Sequence, residues 1–426
     1  MDWIALSPSL ADERQAWGWR ALQVTPRVAW VDEALLLEVS ASERLFGGRQ
    51  ALLRFLVEET PLSKVSWARG RTALVALASL RLQARGIERP KNVDGLPLDV
   101  LTAATEHLPT LERIGCRTWG DLRSLPRGGL ARRFGSALLD ALDAGYAERP
   151  ERYAWITLPE SFDMNLELVS LATTAPELMW SAQRLLTQLQ VWLQARHRGV
   201  LALELEWTLD LRRLNGKRLP SHERLPVRTA EPTQDITHLR RLVNEHLGRA
   251  QLAAPANHLR LRSLETQPWH GDSRGFLPED NRQGEKLHQF IERLSARLGP
   301  QNVVVPMAHA DWRPERMQQW APARDSEAQT ATQADALYPP WLLPQPLALE
   351  VRNDKPHFGG PLERLTRLYR VETGWWENGE PALRDYFVAR SQEAGLLWIY
   401  RERPVSLAAD LEHTQKFRWF LQGLYA

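Results

Sequence analysis

Two groups of residues have types and spacing that could do chemistry. The first is Asp32-Glu33, in the run Val31-Asp32-Glu33-Ala34-Leu35-Leu36-Leu37-Glu38-Val39. Adjacent carboxylates at a strand end can hold Mg²⁺ for phosphoryl transfer. Alone the pair is a weak sign, because Asp-Glu is commonly a solvated turn. A two-metal site also needs a carboxylate from another strand. Asp2 is the early candidate, since Asp12-Glu13 fall at a helix start.

The second group is a helix-hairpin-helix pattern. Leu108–Arg113 reads as the first helix, Ile114-Gly115-Cys116-Arg117 as the hairpin, and Thr118-Trp119-Gly120-Asp121-Leu122 as the start of the second helix. Gly115 permits a turn that a Cβ would crowd, and Thr118 is placed to cap the second helix. Amides freed at the hairpin would face outward as a phosphate cradle. Pro126-Arg127-Gly128-Gly129-Leu130-Ala131-Arg132-Arg133-Phe134-Gly135 follows at once. From Arg113 to Arg133 there are six arginines and one acid, Asp121, which makes a local cation patch. The expected DNA contacts are Gly115, Cys116, Arg117, Thr118, Gly120, Arg127, Gly128, Gly129, Arg132 and Arg133. Such backbone contacts position a duplex without reading its sequence. The alternative is an ordinary helical hairpin with a solvated arginine face.

Little else competes. His197, His246, His258, His270 and His288 show no ligand spacing, and no phosphate-binding glycine loop or nucleophile elbow occurs. The lone Cys116 excludes an intramolecular disulfide, fits a reducing cytosol and is a poor start for zinc.

The elements that must position these groups fall into four segments. Residues 1–91 alternate strand and helix: a short strand near Trp3, a helix from Asp12 ended by Pro26, a strand pair or one long strand over 27–40, a helix after Gly47-Gly48, and a helix over 72–85 stopped at Gly86. Residues 92–152 read as helix and tight turn. Residues 153–306 alternate strands (162–168, 200–211, 258–264 and 303–305) with amphipathic helices (177–198, 233–250 and 284–298), suggesting a small sheet covered on one face. Residues 324–336 are a polar linker, 338–349 are Pro-rich, and strand-like pieces recur from 366 to the β-rich end. The fold class expected is α+β, multidomain.

Composition sets the bounds. At 426 residues the chain suits two to four domains. No apolar run approaches the ~18 residues of a membrane span, and the start lacks the basic region and apolar core of a signal peptide. A cytoplasmic protein is expected. Net charge is only +2, so the local arginine patch carries more than the whole-chain balance. The 18 tryptophans are scattered, which suits packing better than a single stacking platform.

In this order the pieces resemble the Y-family DNA polymerases, and within them the ImuB-like branch associated with bacterial induced mutagenesis. The resembling stretches include Thr25-Pro26-Arg27-Val28-Ala29, Arg44-Leu45-Phe46-Gly47-Gly48, Ile114-Gly115-Cys116-Arg117-Thr118-Trp119-Gly120-Asp121-Leu122, Leu130-Ala131-Arg132-Arg133-Phe134-Gly135, Glu372-Thr373-Gly374-Trp375-Trp376 and the ending Trp419-Phe420-Leu421-Gln422-Gly423-Leu424-Tyr425-Ala426. The resemblance implies a reduced palm (1–91), a helix-hairpin-helix thumb (92–152), a little finger (153–306), a linker (307–340) and a partner-binding module (341–426). It implies a nucleoid-associated role in translesion synthesis and the SOS response to DNA damage. Its implied partners are primer-template DNA, the sliding clamp, an ImuA-like RecA relative and an error-prone DnaE-type polymerase. Only 31 residues precede Asp32, too few for a first palm strand plus fingers. Asp32 and Glu33 are therefore expected as vestiges, with little polymerase chemistry; an active enzyme holding Mg²⁺ there is the alternative. Gln333, Leu337 and Tyr338 form the candidate clamp peptide, with Gln345-Pro346-Leu347-Ala348-Leu349 as competitor.

Overall fold

The computed structural model describes residues 2–211, 213–214, 217–269, 271, 286–323, 338–374, 381–403 and 417–425. The chain divides into two compact units, Met1–Arg297 and Leu298–Ala426, each mixing its elements differently.

The first unit opens with β1 (Trp3–Pro8), α1 (Arg14–Leu22), β2 (Val28–Val31), β3 (Ala34–Glu38), α2 (Arg49–Leu53), β4 (Val65–Gly70) and α3 (Ala73–Ala84). The strands form an antiparallel sheet in the order β2-β3-β1-β4. Successive strand side chains point to opposite faces. Trp3, Ala5, Ala34 and Leu36 accordingly meet Ala73, Ala76, Leu77 and Leu80 of α3. Ile4, Leu6, Leu35 and Leu37 face a larger core on the other side. Burial on both faces explains the unbroken apolar run of β3. The expected strand pair over 27–40 is a hairpin, whereas β4 was not legible as a strand. Only α1 and a short 3-10 turn lie between β1 and β2, so no further subdomain is inserted there.

Four short helices follow: α4 (Leu108–Arg113), α5 (Trp119–Ser124), α6 (Arg127–Phe134) and α7 (Ser136–Gly145). Leu111, Trp119, Leu122, Leu130, Leu138 and Leu142 gather them around one core.

Next come β5 (Asp163–Ala172), α8 (Ala175–Arg196), β6 (Arg198–Leu209), the ribbon β7 (Arg213–Leu214) and β8 (Lys217–Arg218), β9 (His222–Thr233), α9 (Ile236–Arg249), β10 (Ala256–Pro268) and α10 (Leu287–Leu298). A second antiparallel sheet has the order β5-β10-β6-β9. Helices α8 and α9 cover one face of it, as the apolar stripe on residues 177–198 requires. Helix α8 also packs against α1. Trp19 meets Phe162 edge-on with ring centroids 5.8 Å apart, and Gln188 donates to the Asp12 carbonyl at 3.1 Å. The apolar core is therefore continuous from the first sheet to the second.

In the second unit β11 (Val304–Ala308) pairs with β12 (Gln318–Pro322). The strand expected at 303–305 thus belongs to this ribbon and not to the preceding sheet. A seven-stranded antiparallel sheet follows: β13 (Trp341–Arg352), β14 (Lys355–His357), β15 (Glu363–Arg364), β16 (Tyr369–Thr373), β17 (Ala382–Ser391), β18 (Gly395–Glu402) and β19 (Trp419–Tyr425). Most of the Pro-rich stretch 338–349 lies in β13, whose pairing with β19 shifts register between Leu342 and Leu347. Trp398 and Trp419 are buried, so both serve as core. Trp375, Trp376 and the polar stretch 324–336 lie outside the described residues, whereas residues 307–323 of the expected linker (307–340) hold part of the β11–β12 ribbon.

Candidate nucleic-acid interface

Asp32 and Glu33 form the two-residue turn between β2 and β3, with Asp32 in the left-handed region at φ 52°. Arg81 of α3 faces both. Its Nε donates to Glu33 Oε1 at 2.7 Å, and its Nη2 donates to Glu33 Oε2 and Asp32 Oδ2, each at 2.9 Å. Thr102 adds a hydroxyl bond to Asp32. The guanidinium holds the Glu33 carboxyl below its ordinary value by hydrogen bonding. Asp2 does not join them. Its carbonyl accepts from the Val39 amide at the far end of β3, and its carboxylate pairs with Arg69. Val39 is five residue steps beyond Ala34, roughly 17 Å at ~3.4 Å each. No group of three or more metal-ligating side chains occurs among the described residues. An arginine, held in a bidentate fork, thus takes the carboxylates that a metal would need.

In the first hairpin the turn 114–117 joins α4 to α5. Gly115 turns at φ 88° and is exposed, with open space where a Cβ would stand. Thr118 and Asp121 make a reciprocal capping box on α5. This box overturns the amide cradle, because the hairpin amides already have partners. Gly115 N donates to Glu112 O at 3.0 Å and Cys116 N to Leu111 O at 3.0 Å. Arg117 N and Thr118 N both donate to Asp121 Oδ2, at 3.0 and 2.9 Å. Those two amides hold the Asp121 carboxyl below its usual range. A carboxylate therefore fills the seat proposed for phosphate. Two further expectations change for packing reasons. The Cys116 side chain is buried in the helical core, where desolvation pushes its thiol up. Gly120 is half-buried, and a Cβ there would lie 2.8 Å from that of Asp94, so its smallness serves close packing.

The second cluster is better disposed. Arg127, Gly128 and Gly129 lie in the first turn of α6, so Gly128 is helical and not a corner; the corner is Gly135, at φ 82° between α6 and α7. No side chain caps α6 or α7. Gly128, Gly129, Gly135 and Ser136 are all exposed. Sequence reasoning left Gly135 and Ser136 out of the contact set, although the Phe-Gly-Ser punctuation after Arg133 signalled them. Arg127 is bidentate with Asp143, at 2.8 and 2.7 Å, which neutralises much of its charge. Arg117, Arg132 and Arg133 are exposed and form no ion pair among the described residues; Arg132 Nε donates only to Gly128 O, at 3.1 Å. Both hairpins hang from the one core, so these cations belong to one helical body.

The second sheet also carries arginines on its uncovered face, but each has an acid. Arg224 pairs with Glu206 at 2.8 Å, Arg260 with Asp163 at 2.5 Å and Glu206 at 3.7 Å, Arg228 with Glu265 at 2.6 Å, and Arg262 with Glu204. Cross-strand register sets Arg224 and Arg260 opposite Glu206 and Arg262 opposite Glu204. The arginines named on this face are thus neutralised by acids, whereas Arg117, Arg132 and Arg133 on the hairpins are not.

Of the candidate clamp peptide Gln333, Leu337 and Tyr338, Tyr338 alone falls among the described residues. Gln333 and Leu337 lie outside the described residues. Tyr338 meets Trp398 edge-on at 5.3 Å, half-buried as part of the second unit's core. In the competitor, Leu347, Ala348 and Leu349 are paired in β13 with Leu421, Phe420 and Trp419.

No helix among the described residues is long and apolar enough to cross a membrane. No family model matches the chain. It is 24% identical over 408 aligned residues to Protein ImuB of Caulobacter vibrioides strain NA1000 / CB15N, covering 87% of this chain and 85% of the relative. The same figures hold for Protein ImuB of Caulobacter vibrioides strain ATCC 19089 / CIP 103742 / CB 15. Among solved structures, a Dbh ternary complex overlays with TM-score 0.27 at 10% identity, over 58% of this chain and 76% of that one. DinB from Sulfolobus solfataricus overlays with TM-score 0.26 at 10% identity, over 60% and 76%. Such overlays are loose, and the chain's likeness to ImuB rests on the sequence relatives, which align over 87% of it.

Proposed function

We propose that this chain is a DNA-binding scaffold in DNA damage tolerance, acting in a translesion synthesis or induced-mutagenesis complex. In this reading residues 1–91 are a reduced palm, 92–152 the thumb that grips the DNA backbone, and 153–306 a little finger. The segment beyond, with residues 341–426 as its folded module, docks the sliding clamp, an ImuA-like RecA relative and an error-prone DnaE-type polymerase. The observation that carries the DNA contact is the set of exposed, unpaired Arg117, Arg132 and Arg133 beside the bare helical backbone of Gly128 and Gly129. Unpaired guanidinium groups attract phosphate, and helix starts without side-chain caps leave amides to meet it.

Synthesis is assigned to a partner because Arg81 occupies the Asp32-Glu33 pair and Asp2 sits at the other end of the sheet. Phosphoryl transfer depends on positioned metal ions and nucleotide. The test is primer extension beside primer-template binding, on the full chain with Mg²⁺. Binding without extension is expected. Robust extension lost in Asp32→Ala would reject the scaffold reading.

A further inference from the structure

A cleft of about 810 Å³ opens in the second unit, at the ends of β13, β17 and β18. Lys355, Arg364, Arg390 and Arg401 line it together with Phe417 and Trp419. Lys355, Arg364 and Arg390 are exposed and form no ion pair among the described residues. Two acids, Asp354 and Glu363, also line the cleft, and neither forms an ion pair among the described residues. Arg401 differs from the other three. Its Nε and Nη2 donate to the buried Asp385 carboxylate at 3.1 and 3.0 Å. That bond fixes the guanidinium 4.8 Å from the Phe417 ring centroid, and Phe417 is half exposed. Arg364 lies 5.4 Å from the Phe387 ring.

Flat aromatic and guanidinium faces beside loose cations are the means by which proteins hold single strands, with bases stacked and phosphates tracked. A duplex hides its base faces and could use only the cations. An acidic peptide would use the cations and leave Phe417 idle. We infer that this cleft binds single-stranded nucleic acid, with a base on Phe417 and phosphates on Lys355, Arg364 and Arg390. The site goes beyond the proposed duplex grip and uses none of the helical hairpins.

The test uses the full chain and fluorescein-labelled (dT)20, read by anisotropy with excess unlabelled duplex present. The combined variant Lys355→Ala, Arg364→Ala, Arg390→Ala should weaken (dT)20 binding about ten-fold or more and flatten its salt dependence. Phe417→Ala should weaken it about five-fold or more with the salt dependence kept, since stacking is uncharged. Duplex affinity, measured separately, should be unchanged in both, which also shows that the chain is folded. Unchanged (dT)20 affinity would overturn the inference. So would equal loss of duplex and single strand, or displacement of (dT)20 by poly-glutamate in wild type but not in the triple variant. Should the hairpin reading fail, the (dT)20 comparison still stands by itself.

Discussion

Arg81 and Glu33 meet fork to fork, Nε to Oε1 at 2.7 Å and Nη2 to Oε2 at 2.9 Å. The same Nη2 reaches Asp32, and Nη1 donates to the Val100 carbonyl at 2.7 Å. One mostly buried side chain thus ties the β2–β3 turn to the segment leading into the helical body. Arg81→Ala should cost about 2 kcal/mol, as expected for hydrogen bonds to charged groups. It should not restore primer extension, because Asp2 stays at the far end of β3. Denaturant unfolding and a primer-extension assay on the same variant check both halves.

The pair also fixes a pH dependence. The Glu33 carboxyl is held below its ordinary 4.5. Its contribution is therefore complete above about pH 4.5 and fades as pH falls through the lower folded-state value. Glu33 is half exposed, so the term is modest, ~0.5–1 kcal/mol. Glu33→Gln should be less stable than wild type at pH 7 and converge with it in acid, which thermal melts across pH 3–7 would follow.

Gly128 and Gly129 sit exposed in α6 with no atom near their missing Cβ positions. Alanine there should stabilise the helix by about 1 kcal/mol per site. If the bare backbone serves phosphate approach, the added methyls should also weaken DNA binding. Melting temperature and duplex affinity should therefore move in opposite directions for Gly128→Ala and Gly129→Ala. Gly120→Ala should behave differently: it overlaps Asp94 and should lower stability by about 1–3 kcal/mol.

What the sequence made legible follows from what kind of signal each feature carried. The helical hairpin was readable because Gly115 and Thr118 obey local backbone chemistry. So was the α8 stripe, because its period is written in consecutive turns. The first sheet was readable only in part: β1, β2 and β3 alternate or run apolar, but the half-exposed Val65–Gly70 strand shows neither pattern. Long-range pairing was hidden. Nothing local announces that Arg81 would reach Asp32 across 49 residues. The bond from the Arg117 amide to Asp121 is local, four residues apart in a capping box, and was the signal overlooked. The sequence thus indicated exposed arginines, and Arg117, Arg132 and Arg133 are exposed, but it did not reveal that the hairpin amides are already bonded.

The uncovered face of the second sheet gives a contrasting expectation. Arg260 is shared between Asp163 and Glu206. Arg260→Ala should leave the salt dependence of duplex binding unchanged while lowering stability, by ~1 kcal/mol for a partly exposed network. A shallower salt slope in this variant would move part of the DNA surface onto the sheet.

The most direct measurement is the salt dependence of duplex affinity for wild type and for Arg117→Ala, Arg132→Ala, Arg133→Ala combined. Each phosphate neutralised adds about 0.9 to the log–log slope. The account requires the triple variant to bind more weakly at low salt, with a slope shallower by about 2–3. Equal affinity and an equal slope would contradict the claim that these hairpins grip DNA.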